Sequence, residues 1–266
     1  MIKIGWFSSG RGEGSRGLLR FIQNRIESGN LEAEIQFVFS NRSRGEFVGS
    51  DQFFDMVSQM GLPLFTLSSK EHRNTYSGPT GFSRQSYDEE VVQLLRDNTP
   101  DICVLAGYML ILSGFMCDKF PFLNLHPALP DGPVGTWQEV IWDLIASKAT
   151  NTGAMMHLAT TDVDRGPLVS YCTTSIVGPE FSHAWSEVEH GDLKHMQETV
   201  GEELALFKQI REAEYLLEPY LIYETLKALG NRQIIISDGC VTNKSDLTVP
   251  ICLDSAIAAS LDGDAD

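Results

Sequence analysis

Apolar runs alternate with segments of helical spacing from the first residue of the chain onward. Short and almost continuous apolar runs predict buried strands at 2–8, 33–39, 64–67, 102–106 and 122–126. Amphipathic segments between these runs predict helices at 18–26, 51–60, 87–97 and 137–147. Such alternation is typical of a parallel sheet with crossover helices. The pattern therefore predicts an α/β fold, an open and mostly parallel twisted sheet with helices on both faces.

The second half of the chain departs from this alternation. Further strands are predicted at 153–158, 168–174 and 233–237. The Ser-, Glu- and His-rich stretch 176–195 is interpreted as a loop, and a long C-terminal helix is predicted within 196–229. No linker rich in Pro, Gly or Ser divides the chain. We therefore predict one domain over 1–240 and a flexible acidic tail over 241–266.

Charge and composition narrow the classes of partner. Twenty basic and 36 acidic side chains give a formal charge of −16, which opposes binding to nucleic acid or to an anionic membrane. The opening MIKIGWFSSG runs directly into a strand and does not resemble an export signal. No uncharged apolar stretch reaches the roughly 20 residues of a membrane helix. The five cysteines are scattered without CxxC spacing, as in reduced thiols. We therefore predict a cytoplasmic protein that binds neither nucleic acid nor membrane.

A glycine-rich turn, SSGRGEGSRG, follows the first strand. It matches the pattern GxGxxG at Gly12, Gly14 and Gly17. In this position backbone N–H groups and a helix N-terminus hold a phosphate. The second strand ends FSNRSR, without the acidic residue that an NAD site requires. Two interpretations stay open: a substrate phosphate site, or an NADP-dependent oxidoreductase in which Arg42 and Arg44 meet the 2′-phosphate.

The stretch FLNLHPALPDG contains the strongest candidate for catalysis. Asn124 and His126 alternate in a strand, so their side chains emerge together near its carboxyl end. Open parallel sheets bind ligands at such ends. Two further segments add to this candidate site: Asp164 lies in the turn TDVDRGP, and LAGYMLIL forms an apolar loop without charge. Such a loop is expected to be covered by the core or by a flat ligand.

Taken in order, LAGYMLIL, FLNLHPALP and MMHLATTDVDRGPLV resemble three successive motifs of the folate-dependent formyltransferase family, most closely its phosphoribosylglycinamide formyltransferase branch. SRQSYDEEVVQLL and the glycine-rich turn also fall in the order of the family, and the resemblance covers roughly residues 1–230. It implies the Rossmann-like formyltransferase fold, with 1–240 as the catalytic domain. It also implies 10-formyltetrahydrofolate as co-substrate and no metal.

The resemblance assigns roles position by position. The catalytic residues are Asn124, His126 and Asp164. The folate-binding residues are Arg84, Tyr108, Met109, Leu110, Ile111, Leu112, His157, Thr160, Thr161, Asp162 and Val163. The acceptor-binding residues are Gly12, Gly14, Ser15, Arg16 and Glu214. An amide donor and an imidazolium stabilise the oxyanion of a tetrahedral intermediate, while Asp164 raises the pKa of the histidine and relays a proton through water.

Departures from the family pattern leave the acceptor open. Arg16 stands where relatives carry Asn, Leu110 stands where they carry Arg, and the loop 127–137 is altered. Glycinamide ribonucleotide, in purine biosynthesis, is the leading phosphorylated amine. An amino-sugar nucleotide is an alternative acceptor, and a non-catalytic folate-binding relative is an alternative to an enzyme. A homodimer is also left open.

Two other branches of the family normally carry an additional domain. The tRNA-directed branch adds a basic C-terminal domain, and the formyltetrahydrofolate hydrolase branch adds an N-terminal regulatory domain. We therefore expect a small-molecule transferase. His183, His190 and His195 fit no metal-ligand spacing and are interpreted as solvated.

Overall fold

The computed structural model describes residues 1–76, 83–189, 191–237, 239–243 and 250–265. The strands are β1 Ile2–Phe7, β2 Ala33–Ser40, β3 Leu64–Thr66, β4 Ile102–Leu105, β5 Phe122–His126, β6 Asn151–Leu158, β7 Leu168–Ser175, β8 Ile234–Ser237, β9 Cys240–Asn243 and β10 Ile251–Cys252. The helices are α1 Glu13–Glu27, α2 Val48–Gln59, α3 Ser69–Thr75, α4 Arg84–Leu94, α5 Gly114–Lys119, α6 Trp137–Ala146, α7 Pro179–Glu189, α8 Leu193–Thr199, α9 Ala205–Gly230 and α10 Asp254–Ala265.

Eight of the described strands form one sheet in the order β10-β7-β6-β5-β4-β1-β2-β3. Strand β6 runs antiparallel to both of its neighbours, and the other pairs are parallel. The predicted mostly parallel sheet and the long C-terminal helix are confirmed. The strand order reverses between β1 and β4, so loops at their carboxyl ends flank a crevice. Open α/β sheets bind ligands at this position.

The two faces of the sheet carry different layers. Helices α1, α2 and α9 cover one face around a core that includes Trp6, Phe53 and Leu221. Aromatic residues fill the other face below α4 and α5, where Phe7 and Phe122 meet edge to face at 5.0 Å between ring centroids. Side chains alternate along β5, so the two polar residues that follow Phe122 on its face emerge where this aromatic layer ends.

The first helix begins earlier than predicted. Its N-cap is Gly12 in an extended conformation, and Glu13 lies in the first turn, where a negative charge favours the helix dipole. Gly14, Ser15 and Arg16 are therefore helical and do not lie in an open turn. Arg84 likewise opens α4, because the side chain of Ser83 accepts a hydrogen bond from the Ser86 backbone N–H.

The stretch predicted as a loop after residue 176 forms α7 and α8. Phe181, Ala184 and Val188 recur at helical spacing and pack against α6 and α9. The abundance of Ser, Glu and His conceals this period in the sequence. The predicted helical tract is also divided, because a 3-10 turn at Gly201–Glu203 separates α8 from α9.

The histidines of this stretch lie on the surface where they are described. His183 is exposed and pairs with Glu187 at 3.4 Å, and His190 lies outside the described residues. Across the described part of the chain, no group of His, Cys, Asp and Glu is placed to hold a metal ion. Within the same residues, no helix has the length and apolarity required to cross a membrane.

The segment predicted as a flexible tail packs on the fold where it is described. Strand β10 pairs with β7, and Leu253 and Ile257 are buried among the core residues. The carboxylate of Asp254 accepts hydrogen bonds from the backbone N–H and the hydroxyl of Thr173. Apolar residues at helical spacing within an acidic composition explain the difference from the expectation. Among the described residues, the predicted last strand, β8, pairs with β9 in a separate two-stranded sheet.

Replacement of Ile257 by Ala tests whether this segment stabilises the fold. Because the side chain is 2% exposed, Ile257→Ala should lower the free energy of unfolding by about 2 to 5 kcal/mol. Ile235→Ala deletes the same atoms from a side chain that is 43% exposed and is the matched control with a smaller loss. Urea unfolding measures both, and equal losses would contradict the packing of α10.

Candidate active site

The three predicted catalytic side chains converge at the carboxyl end of β5. The amide Nδ2 of Asn124 donates to Asp164 Oδ1 at 3.2 Å, and His126 Nδ1 lies 3.8 Å from Asp164 Oδ2. Asp164 reaches this position from the turn after β6 with a positive φ of 55°, which Asp tolerates better than most residues. Gly166 is required beside it, since a Cβ there would lie 1.8 Å from the Leu158 carbonyl oxygen.

His157 joins these three residues, although the sequence assigned it only to the folate site. It pairs with Asn124 across β5 and β6, and its Nε2 lies 3.0 Å from Asn124 Nδ2. Its Nδ1 lies 3.0 Å from the Leu158 carbonyl, which can only accept, so Nδ1 carries a proton; Nε2 lies near the Asn124 amide and, at 3.6 Å, near Asp164 Oδ1. The antiparallel pairing of β5 with β6 creates this contact, and the linear sequence carries no signal for that register.

Both N–H bonds of the Asn124 amide are therefore used within the protein. One points to His157 and the other to Asp164. His126 Nε2 donates to the Pro133 carbonyl at 3.3 Å, a long hydrogen bond from the loop 127–136. A ligand oxygen has to replace one of these contacts in order to receive a donor from Asn124 or His126.

The electrostatics differ from the expected effect of Asp164 on His126. Burial lowers the pKa of His126, and the attraction of Asp164, which raises it, is the smaller effect. The pKa of Asp164 is lowered, chiefly by its interaction with His157. The pair therefore consists of an ionised carboxylate and an imidazole that burial holds closer to its neutral form.

The predicted folate residues divide into exposed and buried groups. In the loop after β4, Met109 and Ile111 are 60% and 62% exposed, and Leu110 is half-buried. Tyr108 and Leu112 instead belong to the aromatic core, so they support the loop and do not line its surface. Burial raises the pKa of Tyr108 to about 12.

The second predicted folate loop lies beside the first. Thr160 is half-buried, whereas Thr161, Asp162 and Val163 are exposed. A Cβ on Gly114, at the end of the first loop, would lie 3.2 Å from Thr161 Cγ2. Arg84 lies on α4 of the same face, with its guanidinium over the Tyr87 ring at 4.9 Å.

The predicted phosphate residues lie at the N-terminus of α1. Arg16 donates from Nε to Glu13 Oε2 at 2.9 Å and from Nη1 to the Gly49 carbonyl at 3.1 Å. Ser15 lies against the loop after β4, where Gly107 has a φ of 70° and a Cβ would meet Ser15 Oγ at 2.5 Å. Glycine is therefore needed at 107 for both backbone and contact reasons. The first turn of α1 and the loop after β4 therefore touch at this point.

Glu214, the predicted ribose contact, is fully buried. Its side chain has no exposed surface, and its Oε1 accepts a hydrogen bond from Thr152 Oγ1 at 2.7 Å. Arg211 Nη1 lies 3.6 Å from Oε2. Burial dominates and raises the pKa of Glu214 to about 8. The carboxyl group is therefore engaged by Thr152 and Arg211 within the protein, and its contact with an acceptor ribose stays a prediction.

The sequence did not single out an aromatic stack on the acceptor side. The Arg211 guanidinium lies 4.9 Å from the ring centroid of Trp137 and 5.1 Å from that of Tyr215. The ring of Tyr215 also covers Gly14, where a Cβ would lie 3.1 Å from its Cε2. The stack therefore connects the start of α6, after the altered loop, to the first turn of α1.

The arginines invoked for NADP already have acidic partners. Arg44 pairs with Asp55 at 2.7 Å, and Arg42 lies 3.9 Å from Glu46. A 2′-phosphate would compete with these carboxylates. The oxidoreductase interpretation also gives no role to the convergence of Asn124, His126 and Asp164.

Fold, site and family comparison agree on one class of protein. The family described as formyl transferase matches residues 7–183, a span that contains Asn124, His126, His157 and Asp164. The chain therefore belongs to the formyl transferase family.

Individual relatives narrow the comparison to one branch. A phosphoribosylglycinamide formyltransferase of Saccharomyces cerevisiae is 31% identical over 122 residues, which cover 43% of this chain and 56% of that protein. The Schizosaccharomyces pombe protein of the same name is 26% identical over 189 residues, covering 68% and 86%. The matched segment thus spans little more than half of the first relative and most of the second.

Solved structures with the same fold cover nearly the whole chain. The phosphoribosylglycinamide formyltransferase of Coxiella burnetii has a TM-score of 0.66 at 19% identity and covers 94% of this chain and 98% of its own. A formyltetrahydrofolate deformylase of Pseudomonas syringae has a TM-score of 0.60 at 18% identity and covers 91% and 65%. At these identities the likeness concerns the fold, which is shared by transferase and deformylase.

The buried carboxyl of Glu214 predicts a pH dependence of stability. Its native pKa of about 8 lies above the ordinary 4.5, so the native state binds more protons than the unfolded state between these values. Glu214 therefore contributes to the free energy of unfolding below pH 4.5, and this contribution is lost as the pH rises through about 8. The free energy of unfolding should decline less between pH 5 and pH 9 in Glu214→Gln than in the unaltered protein.

Urea unfolding at several pH values measures this effect. Glu202→Gln, on the exposed surface, is the matched control and should keep the slope of the unaltered protein. Parallel curves for Glu214→Gln and the unaltered protein would contradict a protonated Glu214 in the native state.

Proposed function

We propose that this chain transfers the formyl group of 10-formyltetrahydrofolate to the amine of a phosphorylated small molecule, with glycinamide ribonucleotide as the leading acceptor. The observation that carries the proposal is the convergence of Asn124 and His126 on Asp164 in a formyl transferase fold. The relatives named phosphoribosylglycinamide formyltransferase support this acceptor. The proposal places the reaction in purine biosynthesis and in the cytoplasm, with 1–240 as its catalytic domain.

Attack of the amine on the formyl carbon forms a C–N bond and a tetrahedral intermediate with a negatively charged oxygen. The Asn124 amide stabilises this oxygen when the oxygen replaces Asp164 Oδ1 as the acceptor of one N–H. The other N–H points to His157, and this contact orients the amide. His126 Nε2 adds a second donor when the oxygen replaces the Pro133 carbonyl.

Collapse of the intermediate requires a proton to move from the attacking nitrogen to N10 of the folate. Asp164 is ionised at neutral pH, because its pKa is lowered, and can accept this proton directly or through water. The C–N10 bond then breaks and the proton passes to N10, which leaves a formamide and tetrahydrofolate. The developing oxyanion favours protonation of His126, which burial disfavours in the free protein.

The two substrates occupy opposite sides of this cluster in the proposal. The folate ring lies against the exposed side chains of Met109 and Ile111 and beside the loop 159–164. The acceptor phosphate lies at the N-terminus of α1, where helix amides and Arg16 favour an anion. Binding there requires the phosphate to take Arg16 from Glu13.

The direct test follows folate absorbance with purified protein, 10-formyltetrahydrofolate, and glycinamide ribonucleotide either added or withheld. Release of tetrahydrofolate should require the acceptor. Release without it would identify a hydrolase, and folate binding without release in either case would identify a non-catalytic folate-binding protein. Release with an amino-sugar nucleotide but not with glycinamide ribonucleotide would identify the amino-sugar nucleotide as the acceptor.

Removal of the Asn124 amide tests the oxyanion role. Asn124→Ala should lower kcat by about 100-fold to 1000-fold while tetrahydrofolate affinity is retained, because one oxyanion donor is lost. Asn151→Ala, at the exposed start of β6, is the control and should keep full activity. A kcat equal to that of the control would exclude Asn124 from catalysis.

Removal of the Arg16 guanidinium tests the phosphate position. Arg16→Ala should raise the KM of the phosphorylated acceptor about tenfold, as expected for the loss of a hydrogen bond to a charged group. Arg44→Ala removes an arginine that is exposed and paired with Asp55, and should leave this KM unchanged. Equal KM values for both variants would place the phosphate elsewhere.

A further inference from the structure

A buried carboxylate on α4 connects two parts of the proposed folate pocket. Asp88 has no exposed surface. Its Oδ1 accepts a hydrogen bond from Arg84 Nη2 at 2.7 Å, and its Oδ2 accepts one from the Ser113 backbone N–H at 2.7 Å. A buried carboxylate is costly unless it is paired and hydrogen-bonded, and these two contacts compensate the burial of Asp88.

The contact with Ser113 fixes one end of the loop after β4. Ser113 follows Leu112 directly and is the N-cap of α5, where its hydroxyl accepts from the Met116 N–H. Near the other end, the Met109 N–H donates to the buried hydroxyl of Ser9 at 3.2 Å. The exposed side chain of Ile111 lies between these two attachments.

Movement at Ser113 would also reach the second folate loop. Gly114 follows Ser113 and is close to Thr161, as its Cβ position lies 3.2 Å from Thr161 Cγ2. Thr161 begins the exposed turn that leads to Asp164. The segment that Asp88 holds therefore packs against the turn from Thr161 to Asp164, and a flat ring would lie between the loop 107–113 and this turn.

Asp88 also orients Arg84, the second predicted part of the folate pocket that it contacts. The guanidinium lies over the Tyr87 ring at 4.9 Å, with one Nη on Asp88, so its plane is held from two sides. The Arg84 side chain is 22% exposed, and its buried Nε has no hydrogen-bond partner among the described residues. An Arg–Asp pair one helical turn apart is common on a surface, but Asp88 has no exposed surface and reaches a different segment of the chain.

We infer that Asp88 is a positioning residue for the folate donor: it holds the loop 107–113 through Ser113 and orients Arg84, without contacting the reacting atoms. The inference rests on the proposed function, because it takes this loop as the folate wall. The effect of Asp88 should be confined to the folate, since Asp88 holds the loop at Ser113, whereas the acceptor side at α1 meets the other end of the loop at Gly107.

Calorimetric titration with tetrahydrofolate, together with the acceptor KM, tests the inference. Asp88→Asn keeps the shape of the side chain and removes its charge. It should weaken tetrahydrofolate binding about tenfold, as for a lost charged hydrogen bond, and leave the acceptor KM unchanged. In the double variant with Arg84→Gln, the fold-loss of tetrahydrofolate affinity should be smaller than the product of the two single fold-losses, because the two residues act as one unit. Asp55→Asn breaks the exposed Arg44 pair, also 2.7 Å long, and is the control.

The outcomes separate this inference from the proposed function. Tetrahydrofolate binding by folded Asp88→Asn equal to that of the control would overturn the inference alone, and so would an equal loss for both substrates. Failure of the unaltered protein to bind tetrahydrofolate would overturn the proposed function and the inference with it. Amide hydrogen exchange of the unaltered protein needs no variant. Ser113 should exchange slowly, and exchange at the rate of a free amide would overturn the inference.

Discussion

The rest of the site depends on the interactions of the Asp164 carboxylate. It accepts a hydrogen bond from Asn124 at 3.2 Å and lies 3.8 Å from His126 and 3.6 Å from His157. These residues come from β5, from β6 and from the turn after β6, so a single negative charge joins three segments. The turn places Asp164 in this position because Gly166, which has no Cβ, packs directly against the Leu158 carbonyl.

The sheet topology brings the partners of Asp164 together beside a crevice. Reversal of the strand order between β1 and β4 opens a crevice, and the antiparallel β6 brings His157 opposite Asn124. Burial lowers the pKa of His126 despite the nearby carboxylate of Asp164. In the proposed transfer, the negative charge that develops on the intermediate favours protonation of this imidazole, which burial opposes.

Local patterns in the sequence were sufficient for the fold and for the pair on β5. Apolar runs located β1 to β5, and period-two alternation placed Asn124 and His126 on one face. The buried state of Tyr108 and Glu214 was not predictable, because it depends on packing against α4 and β6 from distant segments. The helical character of α7 and α10 was hidden by composition, since acidic and hydroxyl residues surround the few apolar positions that are buried. The role of His157 depended on strand register.

We propose that the cluster around Asp164 moves a formyl group from folate to an amine. Carbon-13 NMR of a reaction with 10-formyltetrahydrofolate labelled at the formyl carbon tests this transfer most directly. With glycinamide ribonucleotide present, we expect the label to move from the folate signal to the formamide of the acceptor, and Asn124→Ala to suppress this transfer. A label that is released as free formate, or that remains on a folate bound to the protein, would contradict it.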